Sequence, residues 1–419
     1  MVKRLIVHFG LVLVTLLAAA CGLVQRTLPT ATPVPTVAAT ERQLKVFDAA
    51  WEAVRDQYVR ADFDGVDWDA VRTLYRAKVQ AGLSEDDFTT TLRAMLATLP
   101  NAQVIYQTRA ERLALETADN TTYHGIGAFI AFRTTPTPHV VILAVIENTP
   151  AERAGLAPHD NILAIDGAPF TLADEASPAD KIRGLPDTSV TLTVQTPGSD
   201  PRDISLDREQ ITASDVLRGG YLESLNIAYY RVPVVTDSIL ADNIAGDLEQ
   251  IAESATVAGV IIDLRVARSS SGWPLTNMLA LFSQGELGEF YTRDSSEALS
   301  LPGVDAGGSQ TLPLVLLVGP DTEGSPEIFA AAMQASGRAV VIGLPTPGKV
   351  EGFEEVALPD GSRLFLATSS FRTTANQDLA TSGITPDQVV DADWDTYPPD
   401  ADPVIDAALQ ELLGPPTSQ

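Results

Sequence analysis

The stretch TEGSPEIFAAAMQ, Thr322 to Gln334, sets a glycine–serine pair, a proline and a glutamate ahead of an apolar helical run. A serine at such a junction can do two different things. As a nucleophile, Ser325 needs a base to take its hydroxyl proton. As an N-cap, it bonds a free N–H of the first helical turn, with Pro326 at the favoured first position. A candidate base follows at Lys349, in PTPGK. Burial of that lysine would favour its neutral amine; pairing with Glu351 or Glu354 would leave it an ordinary surface cation. Histidine is not available for the task. The four histidines are His8, His124, His139 and His159, so the chain beyond residue 159 supplies neither its own Ser–His–Asp triad nor a histidine metal site. The one cysteine, Cys21, leaves no disulfide, thiolate zinc site or cysteine nucleophile elsewhere. No metal and no cofactor are expected. Ser269 to Ser271 form a further hydroxyl run, in a polar loop after the apolar VIIDL.

Elements that could position these groups are legible around them. NIAYYRVPVV, VAGVIIDLR, LPLVLLVG and RAVVIG read as strands separated by helical runs, which predicts an α/β core with a largely parallel sheet over residues 211–395. Residues 396–419 read as a C-terminal helix and tail. Between 116 and 210 the chain is strand-rich, with short β-branched runs bounded by turns such as Asp166–Gly167. Residues 44–115 read as a helical domain: Phe47, Trp51, Val54 and Tyr58 share one face, and Ser84 is placed to cap a second helix. The fold class is therefore multidomain α/β plus β.

Charge and the N-terminus bear on address. With 28 basic against 55 acidic residues the net charge is -27, which repels phosphate backbones and excludes nucleic acid as a partner class. Residues 1–21 read as a signal segment, with Lys3 and Arg4 ahead of the apolar run Leu5 to Ala20. That run is shorter than the roughly 20 residues of a spanning helix. Cys21 directly after LLAAA resembles a bacterial lipoprotein signal, in which the cysteine is lipidated. Residues 22–43, rich in Pro, Thr and Ala, read as a tether. The expectation is an extracytoplasmic protein held to the membrane by lipid.

Two family resemblances follow from longer motifs. YHGIGAFIAF, IENTPAERAGLAPHDNILAIDGAPF and SPADKIRGLPDTSVTLTVQT together resemble a PDZ domain of the kind found in bacterial envelope proteases. That resemblance implies a peptide added to a strand edge, its carboxylate held by the loop Gly125, Ile126 and Gly127. The partners implied are C-terminal segments of envelope or secreted proteins. The core, from GVIIDLR through PTPGK to GITPDQVV, resembles the C-terminal processing (tail-specific) proteases, serine peptidases with a Ser/Lys dyad.

The resemblance implies Lys349 as general base and Glu327 as the family's glutamate. It puts the nucleophile three residues before Glu327 and twenty-five before Lys349, and both counts land on Gly324. The family's S-A-S-E reads G-S-P-E here. Other positions depart as well. Phe353 stands for a glutamine, and Asn101 and Gln103 stand for an acid and a histidine. In the oxyanion loop, Ala267, Ser269 and Ser270 stand for an asparagine and two glycines, beside retained Asp263 and Arg265. The expectation is a binder of protein C-termini with impaired catalysis. The alternatives are an active endopeptidase using Ser325 with Lys349, or a core repurposed to hold a small ligand.

Overall fold

The computed structural model describes residues 36–414, apart from 101–102, 118–121, 176 and 271. The signal segment, Cys21, the tether as far as residue 35 and Asn101 lie outside the described residues. Composition extends the tether to 43, but the structure starts a helix, Val37–Gln57, inside it. Thr36 is the cap, its side chain accepting from the Ala39 N–H at 3.2 Å. The alanines that suggested a linker are also strong helix formers, and Val46, Phe47, Ala50, Trp51 and Val54 are buried along one face.

Two more helices, Trp68–Gln80 and Glu85–Leu96, complete the helical layer. Ser84 caps the latter as its pattern predicts, accepting from the Asp87 N–H at 3.1 Å. Trp51 and Trp68 each donate the indole N–H to the other's carbonyl, at 2.9 and 3.2 Å, so neither buried indole is left unpaired. This layer is continuous with the core. Its strand Val104–Gln107 pairs with Arg363–Arg372, and Leu364, Leu366 and Tyr291 join its hydrophobic cluster.

The strand-rich unit is a sheet ordered Ala128–Arg133, His139–Val145, Asn161–Ile165, Ser189–Gln195, Arg202–Asp207. Thr122–Gly125 pairs with Glu209–Thr212, which closes the unit where the chain enters and leaves it. Ala128–Arg133 is an edge strand with a single sheet neighbour among the described residues.

The α/β core carries a six-stranded sheet: Arg218–Leu222, Ile227–Arg231, Gly259–Asp263, Leu314–Val318, Val340–Gly343 and Gln388–Val389. Its first pair is antiparallel and the others are parallel. Both faces are covered, as parallel sheets require. Val260 and Ile262 face the cluster with helices Leu240–Ala252, Leu275–Phe282 and Ser325–Ala335, while Ile261 faces helix Pro403–Leu413. The expectation of a largely parallel core is incomplete. A second sheet, five-stranded and antiparallel, joins Val104–Gln107, Arg363–Arg372, Gly285–Thr292, Ser296–Leu301 and Gly352–Ala357. Strands such as GELGEFYT carry too much charge and glycine to read as strands by composition.

The strand-rich unit docks on the core through Ala131, Val141 and Leu143 against Val234, Val266 and Trp394. His159 stacks on Trp394 with centroids 4.0 Å apart. His139 Nε2 lies 2.9 Å from Asp395 Oδ2. Burial opposes charging of His139, but the Asp395 carboxylate outweighs it and the histidine pKa is raised. The stabilisation from that charged pair is therefore fully present below the ordinary histidine value of about 6.5 and is lost as pH rises through the raised folded value. Asp395→Asn should lower stability by about 1–3 kcal/mol near pH 5.5, with the difference from wild type shrinking by about pH 9. Thermal melts of both proteins across that range check it; a pH-independent difference would refute the charged pair.

Candidate active site and peptide groove

Two cavities hold the residues singled out above. The first is a cleft of about 500 Å³ at the start of helix Ser325–Ala335. Its wall includes Ser269, Gly324, Ser325, Lys349, Glu351 and Phe353. The loop after strand Gly259–Asp263 runs beside the approach to this helix. The Ser269 N–H donates to Glu323 O at 3.0 Å, and the Glu323 N–H donates to Ala267 O at 3.1 Å. That pairing brings Ser269 against the helix end.

Ser325 is not the N-cap. Gly324 holds that place, with φ +75° and ψ −125°, and Ser325 is the first helical residue with Pro326 next. A positive φ of this kind is open to glycine and strained for other residues, and Ser325, already the first helical residue, stands past the cap position. The capping comes from elsewhere. Ser269 Oγ accepts from the Ser325 N–H at 2.6 Å, and the Ser269 hydroxyl donates to Ser325 Oγ at 3.1 Å. Ser270 is directed away, donating to Thr236 O at 2.6 Å. Of the two serines expected in an oxyanion region, only Ser269 lines the cleft.

Glu327 ties the cleft together. Its fully buried carboxylate accepts from the N–H groups of Gly324 at 3.1 Å, Gly348 at 2.8 Å and Lys349 at 2.9 Å. Burial pushes its pKa up, against the Thr346 hydroxyl and those N–H groups. The Lys349 backbone is thus fixed at the cleft, while its side chain is turned to Glu323 on the same wall. The Lys349 Nζ donates to Glu323 Oε1 at 2.7 Å, and the lysine side chain is 65% exposed. Neither Glu351 nor Glu354 is its partner. Glu351 instead accepts from Gln103 Nε2 at 2.5 Å, and burial raises its pKa. Gln103 also accepts from the Tyr58 hydroxyl and from Arg60 at 3.0 Å.

The retained Asp263 and Arg265 serve structure. Arg265 bonds Asp263 at 2.9 and 2.7 Å, the Tyr397 hydroxyl at 2.6 Å and Asp402, the cap of helix Pro403–Leu413. Among the described residues no acidic, histidine or cysteine cluster fit to hold a metal is present.

The second cavity, about 350 Å³, lies between edge strand Ala128–Arg133 and the short helix Ala179–Ile182. Gly125, Ile126, Ile130, Ile182 and Arg183 line it. The carbonyls of Ile126 and Gly127 accept from Ala151 and Ile146 at 2.8 and 2.9 Å, whereas their N–H groups have no acceptor among the described residues. Gly127 also has a steric reason to be glycine, since its φ is +88° and a Cβ there would fall 2.3 Å from Thr149 Cβ. Arg183, not singled out from sequence, packs over Tyr123 at 4.8 Å beside this loop. Its only sequence signal was its place in the KIRG motif.

Residues 226–390 match the model of peptidase family S41, and residues 141–196 that of a PDZ domain. The α/β core is a peptidase family S41 domain. Residues 40–97 match the Tricorn protease C1 domain, which accounts for the helical layer ahead of the PDZ domain. The chain thus has the organisation of the C-terminal processing proteases. It is 27% identical over 390 residues to a carboxyl-terminal-processing protease of Synechocystis, covering 91% of this chain and 89% of that one. It is 27% identical over 355 residues to carboxyl-terminal-processing peptidase 3 of Arabidopsis thaliana, covering 81% of this chain and 67% of the relative. The fold resembles that of the solved photosystem II D1 C-terminal processing protease, with TM-score 0.61, 24% identity and coverage of 83% and 93%.

If Glu327 ties the S41 cleft together, Glu327→Gln should be costly. Its amide nitrogen would face an N–H donor, and each N–H left unpaired costs about 1–3 kcal/mol. The urea midpoint should fall markedly without loss of secondary structure; an unchanged midpoint would refute the role.

Proposed function

We propose that this chain captures free C-termini of extracytoplasmic proteins in its PDZ groove and that its S41 cleft is impaired for peptide cleavage. It acts as a lipid-anchored adaptor or sink, attached through Cys21. The observation that carries the reading is the state of the cleft. Position 324 offers no hydroxyl, Lys349 is paired with Glu323 in solvent, and the helix-end N–H of Ser325 is taken up by Ser269. A Ser/Lys reaction needs a hydroxyl, a nearby neutral amine and a free donor for the oxyanion, each in register. The groove supports the binding half. It offers an unpaired strand edge, two N–H groups without acceptors, an apolar wall for a last side chain, and Arg183 for negative charge.

The second reading, cleavage by Ser325 with Lys349, rests on both lining one cleft. A fluorophosphonate probe and peptides with free apolar C-termini separate the two. The proposed function expects no labelling and no turnover. Labelling and turnover abolished by both Ser325→Ala and Lys349→Ala would establish the second reading instead.

Binding is tested apart from catalysis. Amidation of a peptide's C-terminus should weaken its affinity about 10- to 100-fold, the worth of charge-assisted hydrogen bonds of about 1.5–3 kcal/mol. Arg183→Ala should weaken the free acid more than the amide. Equal affinities for acid and amide in calorimetry would refute carboxylate recognition.

A further inference from the structure

Position 324 and Ser269 meet across the cleft. A Cβ built on Gly324 would lie 2.3 Å from Ser269 Oγ and 2.7 Å from Ser269 Cβ, distances that real Cβ atoms do not show. The same hydroxyl accepts the Ser325 N–H at 2.6 Å, one of the donors that a helix start leaves unpaired. Ser269 is held there by its own backbone, whose N–H bonds Glu323 O at 3.0 Å. Rotating the hydroxyl aside gives up the Ser325 N–H, and moving the Cβ aside gives up the backbone bond to Glu323 as well.

From this geometry we infer that Ser269 stands in for a side chain at position 324. Its hydroxyl takes the space and the helix-end N–H that such a side chain would use, and so closes the reacting position of the cleft from within. Ser269 is a blocking, positioning residue. The inference rests on the proposed impairment of the cleft and supplies its local cause. It also couples two positions 55 residues apart: a side chain at 324 fits without displacement only when 269 carries none.

The test uses the full chain as wild type, Ser269→Gly, Gly324→Ser and the double variant. Each is melted and treated with a fluorophosphonate. In a reacting variant the introduced hydroxyl oxygen bonds to phosphorus, the P–F bond breaks, fluoride leaves and the hydroxyl proton passes to water. Gly324→Ser alone should lower the melting temperature more than the same change made on Ser269→Gly, because the clash with Ser269 is then absent. The backbone strain at φ +75° is common to both backgrounds and cancels.

The double variant should be labelled at residue 324 at least about tenfold faster than Gly324→Ser, a barrier difference of ~1.4 kcal/mol. Equal melting losses in the two backgrounds would overturn the inference, and so would equal failure to fold. A folded double variant that labels no faster than Gly324→Ser would also overturn it. Labelling of the wild type at Ser325 would instead defeat the impaired reading of the cleft, and mass spectrometry of the labelled residue tells the two failures apart.

Discussion

The cleft depends on one buried carboxylate. Glu327 sits in the first turn of the helix Ser325–Ala335, where the positive end of the helix favours an acid. It spends both oxygens on three backbone N–H groups from two separate segments. One segment is the start of its own helix and the other is the turn carrying Lys349. A carboxylate with no water contact has to find such donors or give up its charge. The consequence is a rigid relation between residues 324 and 349 that does not depend on either side chain. The backbone of the cleft is therefore held in place whatever side chains stand at 324 and 349.

Around that centre the molecule is assembled by buried and half-buried ion pairs that join separate segments. Arg133, at the end of the PDZ edge strand, bonds Asp321 at 2.5 Å and Asp393 at 2.9 Å. Asp321 in turn receives Arg268 at 2.9 Å, the residue before Ser269. Groove and cleft are thus joined by a short run of charges. Arg265 pins the C-terminal helix in the same manner, through the Asp402 cap. Such pairs cost desolvation and make up for it only when every hydrogen bond is formed, so they specify geometry more than they add stability.

Much of this was legible in the sequence, for identifiable reasons. VII, LVLLV and VVI, within VIIDL, LPLVLLV and AVVIG, are uniformly apolar because their strands are covered on both faces, and they read as strands at once. The PDZ domain was legible through its spaced turns and glycines. What could not be read depended on contacts distant in sequence. The partner of Lys349 is Glu323, behind it in the chain, whereas local inspection offers Glu351 and Glu354. Ser325 looked like a cap because the residue that leaves the helical φ/ψ region is invisible in a string of letters; it is Gly324. The antiparallel sheet escaped notice because its strands are half solvated and rich in Glu, Ser and Gly.

The close approach of Ser269 to Gly324 makes a change at either position depend on the other. With a side chain at both positions the loop and the helix have to shift apart, since the Cβ would stand 2.3 Å from the hydroxyl oxygen. A hydroxyl at 324 free of that contact takes two changes, and the first of them, the loss of Ser269, leaves a helix-end N–H without its acceptor.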